Sequence, residues 1–323
     1  MLVAHELGRR VLPPRSSRFS RKDFTLAQLF ACLVLREFAG LSFRDTEMLL
    51  RDVPWCQQLG MKRVPDHNTL QRAFHVIAKT QRVTRLMDLL TREFQRSRLL
   101  GWTLAIDSTL LDTHHRSRHY EQRCRHHAAP HRRSADWRRS ASAKRTPKLG
   151  IAVDTRSHAI LAMLSKTGMG SDAPDFDRLL YDAWRRHRVR DVLADAGYDS
   201  ESNHCIARQD LGVRSWIRTG IGRPTSKAPA KPHRRRMHRM LRGSQRGRRF
   251  GQRAQAETVM SMLKRNLGDA LRARQDKGRR MELCLRVITH DVMLLPPTNH
   301  EDRDRAGLVP TGPAKHPNHC PRP

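Results

Sequence analysis

Three acidic residues in this chain stand where a pair of divalent cations would need them. Asp107 closes the apolar run TLAID, Asp195 closes VLAD, and Glu257 lies in FGQRAQAETVMSMLKR, a stretch with helical spacing. Small residues follow both aspartates (Ser108; Ala196-Gly197), which leaves room for an ion and a substrate. Magnesium takes hard oxygen ligands and keeps part of its water shell, so three carboxylates suffice for two ions about 3.5–4 Å apart. One aspartate can bridge the ions while each remaining acid takes one. Such a site suits phosphodiester transfer, in which charge builds on the entering, leaving and non-bridging oxygens. The three acids lie far apart in the chain, so only a folded sheet can gather them.

Taken singly, each acid is weak evidence, because an aspartate at a strand end is commonly a turn former or a cap. Asp112, Asp154, Asp191 and Asp199 are rivals of this kind. Asp154 reads as a turn residue and Asp199 as the cap of the helix after Tyr198. The third segment is more specific. Arg253, Glu257 and Lys264 fall within about 40° of one another on a helix, so an acid sits between two cations on one narrow stripe. Val259, Met262, Leu263 and Leu267 occupy another sector and can pack on the sheet. An Arg–Glu pair on a solvated helix face is common; the two aspartates and the composition favour the site.

That composition is strongly basic. Lys and Arg number 63 against 31 Asp and Glu, a formal net charge of +32 over 323 residues. Counterion release makes nucleic acid the first partner to expect of such a chain. No apolar stretch approaches the ~20 residues of a membrane span, and the amino terminus has no long apolar leader, so a cytoplasmic protein is expected. Six scattered cysteines without a C-x-x-C pair point to reduced thiols and no structural zinc. A histidine-rich stretch (His114, His115, His119, His126, His127 and His131, with Cys124) has irregular spacing, and solvated, DNA-facing histidines are the expectation there.

AIDST around Asp107, ADAGYDS around Asp195, and Phe250, Arg253, Glu257 and Lys264 together carry a family resemblance. The chain resembles bacterial insertion-sequence transposases of the IS4/IS5 superfamily, whose Y-(2)-R-(3)-E-(6)-K signature it matches with Phe250 in the tyrosine position. The resemblance runs from about Asp23 to Leu295. It implies a ribonuclease H-like catalytic fold and Asp107, Asp195 and Glu257 as catalytic, metal-binding acids. Two Mg²⁺ ions are implied as cofactor, with Mn²⁺ able to substitute. It also implies hydrolysis at terminal inverted repeats, attack of the exposed 3′-OH on double-stranded target DNA, and a homodimer in the synaptic complex. Arg253 and Lys264 would contact DNA phosphates, and Phe250 keeps the ability to stack on a base but not a phenol hydroxyl. A bacterial, nucleoid-associated setting belongs to the same expectation.

The expected architecture is α/β: a ribonuclease H-like mixed sheet flanked by helices, with an all-α amino-terminal unit. Residues 1–22 read as a basic, disordered arm, and 23–100 as a helical DNA-binding or dimerisation domain. Residues 101–295 read as the catalytic domain, in the order βββαβαβαα, and 296–323 as a disordered Pro-rich tail. Within 23–100, helices are expected over 24–38, 42–50, 66–78 and 83–94; the middle two could form a helix-turn-helix across an unusually long connection. Basic runs at 116–148 and 223–249 flank the catalytic strands and read as phosphate-contacting loops. Two other functions fit the same sequence: a DNA-binding derivative that has lost catalysis, and a ribonuclease H-like nuclease that cuts without strand transfer.

Overall fold

A computed structural model of the chain describes residues 1–114, 146–168, 170–220, 229–242 and 248–296. The expected tail, and all of the histidine-rich stretch except His114, lie outside these residues.

The central strand β1 (Thr103–Leu110) begins with Leu104, Ala105 and Ile106, all fully buried, before the chain reaches Asp107. A short β2 follows at Asp112–Thr113. β3 (Pro147–Asp154) runs antiparallel to β1 and forms a hairpin with β4 (Ile160–Thr167). β5 (Asp191–Ala194) and β6 (Arg214–Ile217) extend the sheet on the other side in parallel, giving the order β4-β3-β1-β5-β6. Three consecutive strands on one side of the sheet and two crossover strands on the other make a mixed sheet of the expected ribonuclease H-like kind. Asp154 does what a turn former does: its fully buried carboxylate accepts from the backbone N–H groups of Arg156 and Ser157, the Ser157 hydroxyl and the Gly101 N–H. Asp199 departs from expectation. Ser200 caps the next helix, and the Asp199 carboxylate instead receives a two-pronged bond from Arg234 (2.9 and 2.7 Å).

Six helices precede the sheet: α1 (Leu2–Val11), α2 (Leu26–Phe38), α3 (Phe43–Asp52), α4 (Trp55–Gln58), α5 (His67–Ile77) and α6 (Thr80–Arg96). α2 and α3 open on capping boxes, Thr25 with Gln28 and Ser42 with Asp45, and Asp66 caps α5. These side chains satisfy backbone donors that a helix start otherwise leaves orphaned. The amino-terminal arm is a correction. Residues 2–11 form a helix packed on α2 and α6, because Leu2, Val3, Ala4 and Leu7 make an apolar face. Gly8 lets α2 come close: a Cβ there would lie 3.0 Å from the Ala27 Cα. Arg10 then pairs with Glu93 of α6 at 2.8 Å. The segment between α3 and α5 holds α4, so those two helices are not joined by a tight turn, although Phe43 and Phe74 meet edge-on at 5.8 Å.

Beyond β4 come α7 (Phe176–Arg186), α8 (Glu201–Cys205) continued by a π-helical turn (Ile206–Asp210), α9 (Pro232–Arg242), α10 (Arg248–Gly251), α11 (Ala254–Leu267) and α12 (Asp276–Leu294). The helix expected over 253–274 stops at Gly268, whose φ of +92° favours a residue without a Cβ, and the chain then adds β7 (Ala270–Leu271) beside β2. Register decides which helix covers which face. A Cβ at Gly150, the partner of Ser108, would touch Leu179 of α7, so α7 covers the Ser108 face. Asp107 and Thr109 alternate to the opposite face, where α11 packs on β1 and β3. α12 runs from β4 to α2 and α6, so the apolar core is continuous from the amino-terminal helices to the sheet. No single helix among the described residues is long and apolar enough to cross a membrane.

Candidate active site

Asp107 and Asp195 are brought side by side by strand register. β1 and β5 pair in parallel with Ile106 opposite Ala194, and each aspartate is the next residue along. Asp107 continues β1, and its Oδ1 accepts the Ser108 N–H at 2.8 Å. Asp195 ends its strand and caps a tight 3₁₀ turn, Ala196–Tyr198, accepting the Gly197 N–H. Gly197 has no room to be anything larger, since a Cβ there would lie 2.9 Å from Asp195 Oδ1.

Glu257 arrives on α11, in the first turn of a helix that buries Ala256, Val259, Met260, Leu263 and Leu267. Its carboxylate is more than half exposed and is linked to Asp107 through Arg253. The Arg253 Nη2 lies 2.5 Å from Glu257 Oε1, and Nη1 lies 3.9 Å from Asp107 Oδ2. One guanidinium thus bridges two of the three acids. Lys264, two turns further on, donates to Thr109 Oγ1 at 2.8 Å and pins the helix against β1 on the Asp107 face. Phe250 lies in α10, half-buried, with its carbonyl accepting the Arg253 N–H at 3.1 Å.

The electrostatics mark the three acids as one cluster. Burial pushes the Asp107 carboxyl up to about 6; the Ser108 N–H opposes this, Asp195 adds to it, Arg253 opposes it and Glu257 adds to it. A carboxyl raised in this way costs the folded chain stability once ionised. The folded chain keeps the Asp107 proton to about pH 6, whereas an unfolded carboxyl releases it near 4. The folded state therefore binds more protons in that window, and stability falls as pH rises through it, by roughly 2–3 kcal/mol from this residue. Asp107→Asn is accordingly expected to be the more stable protein above pH 6 without divalent cations. Urea melts at pH 4.5 and 7 should show the wild-type pH slope flattened in the variant, and an unaltered slope would remove Asp107 as its source.

Two groups here escaped sequence reasoning. Asp172, ahead of α7, pairs with Lys148 of β3, and its Oδ2 would lie 3.6 Å from a Cβ at Gly197, close beside Asp195. Tyr198 is buried with its hydroxyl near Ser108, and burial pushes its phenol well above the ordinary range. Neither has a local pattern that sets it apart; both are placed where the segment ahead of α7 meets the 3₁₀ turn. Asp191, a rival at the start of β5, accepts from Arg214 (2.7 Å) and the Trp216 indole (2.8 Å) and braces β6.

All the donors that Asp107, Asp195 and Glu257 offer are carboxylate oxygens; the other two acids add to the upward push of burial on Asp107, and Arg253 lies between Asp107 and Glu257. That donor set fits hard divalent cations, which would relieve the repulsion.

Residues 99–291, more than half of the chain, match the transposase DDE domain, and the chain belongs to that family. It is a DDE transposase. Among solved structures it is similar to a piggyBac transposase, seen by cryo-electron microscopy in a synaptic complex with hairpin DNA. The identity is 11%, the TM-score 0.39, and the match covers 91% of this chain and 70% of that one. No curated protein matches the chain.

Proposed function

We propose that this transposase moves a bacterial insertion sequence of the IS4/IS5 kind. In this reading it hydrolyses a DNA strand at the element's terminal inverted repeats and joins the exposed 3′-OH to target DNA. The observation that carries it is the shared charge of Asp107, Asp195 and Glu257, one of which is driven up to about 6 by burial and by the other two. Asp107, Asp195 and Glu257 would hold two Mg²⁺ ions (or Mn²⁺), which supply positive charge to the attacking, leaving and non-bridging oxygens. The chain's own part is placement. The buried face of α11 and the Lys264–Thr109 bond fix Glu257 over β1, and the register of β1 and β5 sets the spacing of the aspartates. Arg253 and Lys264 supply phosphate contacts beside the cut, and Phe250 a ring for an unpaired base. The active form in this proposal is a synaptic homodimer acting at the nucleoid in the cytoplasm, with residues 23–100 contributing to DNA binding or dimerisation.

The test uses labelled duplexes that carry the element's ends, with Mg²⁺. Joined products support the proposal. Cleavage without joining would favour a plain nuclease, and salt-sensitive binding without cleavage a catalytically inactive binder. Arg253→Ala and Lys264→Ala are each expected to weaken DNA binding and to reduce the slope of log affinity against log salt by about one unit. Filter binding over a salt series measures this; an unchanged slope would rule out a direct phosphate contact.

A further inference from the structure

α8 places Glu201 and Cys205 four residues apart, on one helix face. The start of α9 docks on that face. The Glu201 carboxylate accepts the backbone N–H groups of His233 (2.9 Å) and Arg234 (3.1 Å), which delivers the His233 ring beside the Cys205 thiol. One donor atom from each of Glu201, Cys205 and His233 lies within 4.8 Å of the other two, and all three residues are half-buried. Ligand atoms around a tetrahedral zinc are about 3.5 Å apart, so small rotamer changes close the group around an ion. His204, fully buried, stacks its ring on His233 at 6.4 Å. Its Nδ1 is taken by Ser215 Oγ at 2.7 Å, and its Nε2 has no hydrogen-bond partner among the described residues. An uncompensated donor nitrogen therefore stands in the wall of the same group.

We propose that Glu201, Cys205 and His233 form a binding site for a borderline-soft divalent cation of the zinc class, separate from the acidic site. Donor chemistry separates the two: thiolate and imidazole select zinc over magnesium, whereas three carboxylates favour the harder ion. The cap on α9 does not compete, because each carboxylate oxygen has a second lone pair. On binding, the Cys205 thiol proton passes to solvent and a sulfur–metal bond forms, with no change of oxidation state. His233 gives up its 3.4 Å contact with the Gln209 amide if Nε2 is the ligand atom. The ion would clamp α8, which follows Asp195, to α9, the helix carrying Arg234, Arg235, Arg236 and Arg239. Scattered cysteines without a C-x-x-C pair argued against structural zinc; the fold supplies instead an E-x₃-C pair on one helix and a histidine from another.

Chelator-treated full-length protein, titrated with Zn²⁺ in excess Mg²⁺ and dialysed to equilibrium, is expected to retain about one equivalent. Co²⁺ substitution should give an intense thiolate-to-cobalt charge-transfer band. Cys205→Ser and His233→Ala should each weaken retention more than about a hundredfold and abolish the band, while Cys284→Ala keeps both. Far-UV circular dichroism checks that the variants fold, and Glu201→Gln, which keeps the side chain's size but only one of the cap's two acceptor oxygens, is expected to lose affinity as well. Sub-stoichiometric zinc in the wild type, or a full equivalent and band retained in a Cys205→Ser/His233→Ala double variant, overturns the site.

Discussion

Asp107→Asn, Asp195→Asn and Glu257→Gln are each expected to reduce DNA cleavage roughly 10³-fold or more while leaving binding to the same duplex nearly unchanged. Each replacement keeps the side chain's size and removes one anionic ligand. If the acids hold the cations, the loss falls on the chemical step and not on affinity, which rests on the chain's large positive charge. The measurement is single-turnover cleavage of an end-bearing duplex beside a binding titration at matched salt. Asp107→Asn is the sharpest case, because the substitution that removes catalysis should also stabilise the cation-free protein at neutral pH. A variant that cuts at near-normal rate, or loses cleavage only through weakened binding, takes its residue out of the catalytic set. Asp154→Asn and Asp191→Asn serve as comparisons, since their carboxylates brace a turn and a neighbouring strand.

The largest effect on stability is expected from Arg286→Met. Arg286, on α12, is 4% exposed and pairs with Glu282 at 2.8 Å on its own helix and with Glu37 of α2 at 3.6 Å. It also donates to the Gly268 and Ala270 carbonyls at 2.6 and 2.7 Å, closing the end of α11. Arg36 pairs with Glu37 from the other side, yet burial still pushes the Glu37 carboxyl above its ordinary range. Glu282 meanwhile caps the Arg272 and Ala273 N–H groups, and Arg272 donates to the Gly40 and Leu41 carbonyls. Removing the cation takes away Glu282's buried ion pair and leaves Glu37 with Arg36 alone, a loss of about 3–5 kcal/mol, read as a lower midpoint in a urea melt. Glu37→Gln and Glu282→Gln in the Arg286→Met background should recover part of it. A loss below about 1 kcal/mol would mean that the network is in effect solvated. Because the same arginine closes α11, cleavage by the folded fraction should fall as well.

Much of this was legible in the residues, for reasons of range. β1, β3, β4 and β5 follow from apolar runs, α2 from apolar residues at helical spacing, and α3 and α5 from capping side chains that announce their starts. Asp107 and Asp195 stood out as candidates because each follows an apolar run, although β1 continues past Asp107 to Leu110, and Glu257 because Arg253 and Lys264 share its helical stripe. The failures are those where long-range packing decided. A short helix at residues 2–11 looked like a basic arm because its partners, α2 and α6, lie elsewhere in the chain. Asp199 looked like a cap, but Arg234 claimed its carboxylate across the fold. Asp172, Lys148 and the Arg286 network have no periodicity to betray them, since charges in tertiary contacts follow no local rule.

The guanidinium of Arg253 cannot hold two carboxylates and a phosphate at full strength at once. In the proposed mechanism, cations held by Asp107, Asp195 and Glu257 would take over those carboxylates and leave Arg253 free for the nucleic acid. Linkage then requires reciprocity: whatever factor the ions add to duplex affinity, the duplex must add to theirs. A chain that worked in this way would hold its reagents loosely until both were present, a form of restraint suited to an enzyme whose misplaced cuts would damage the genome that carries it.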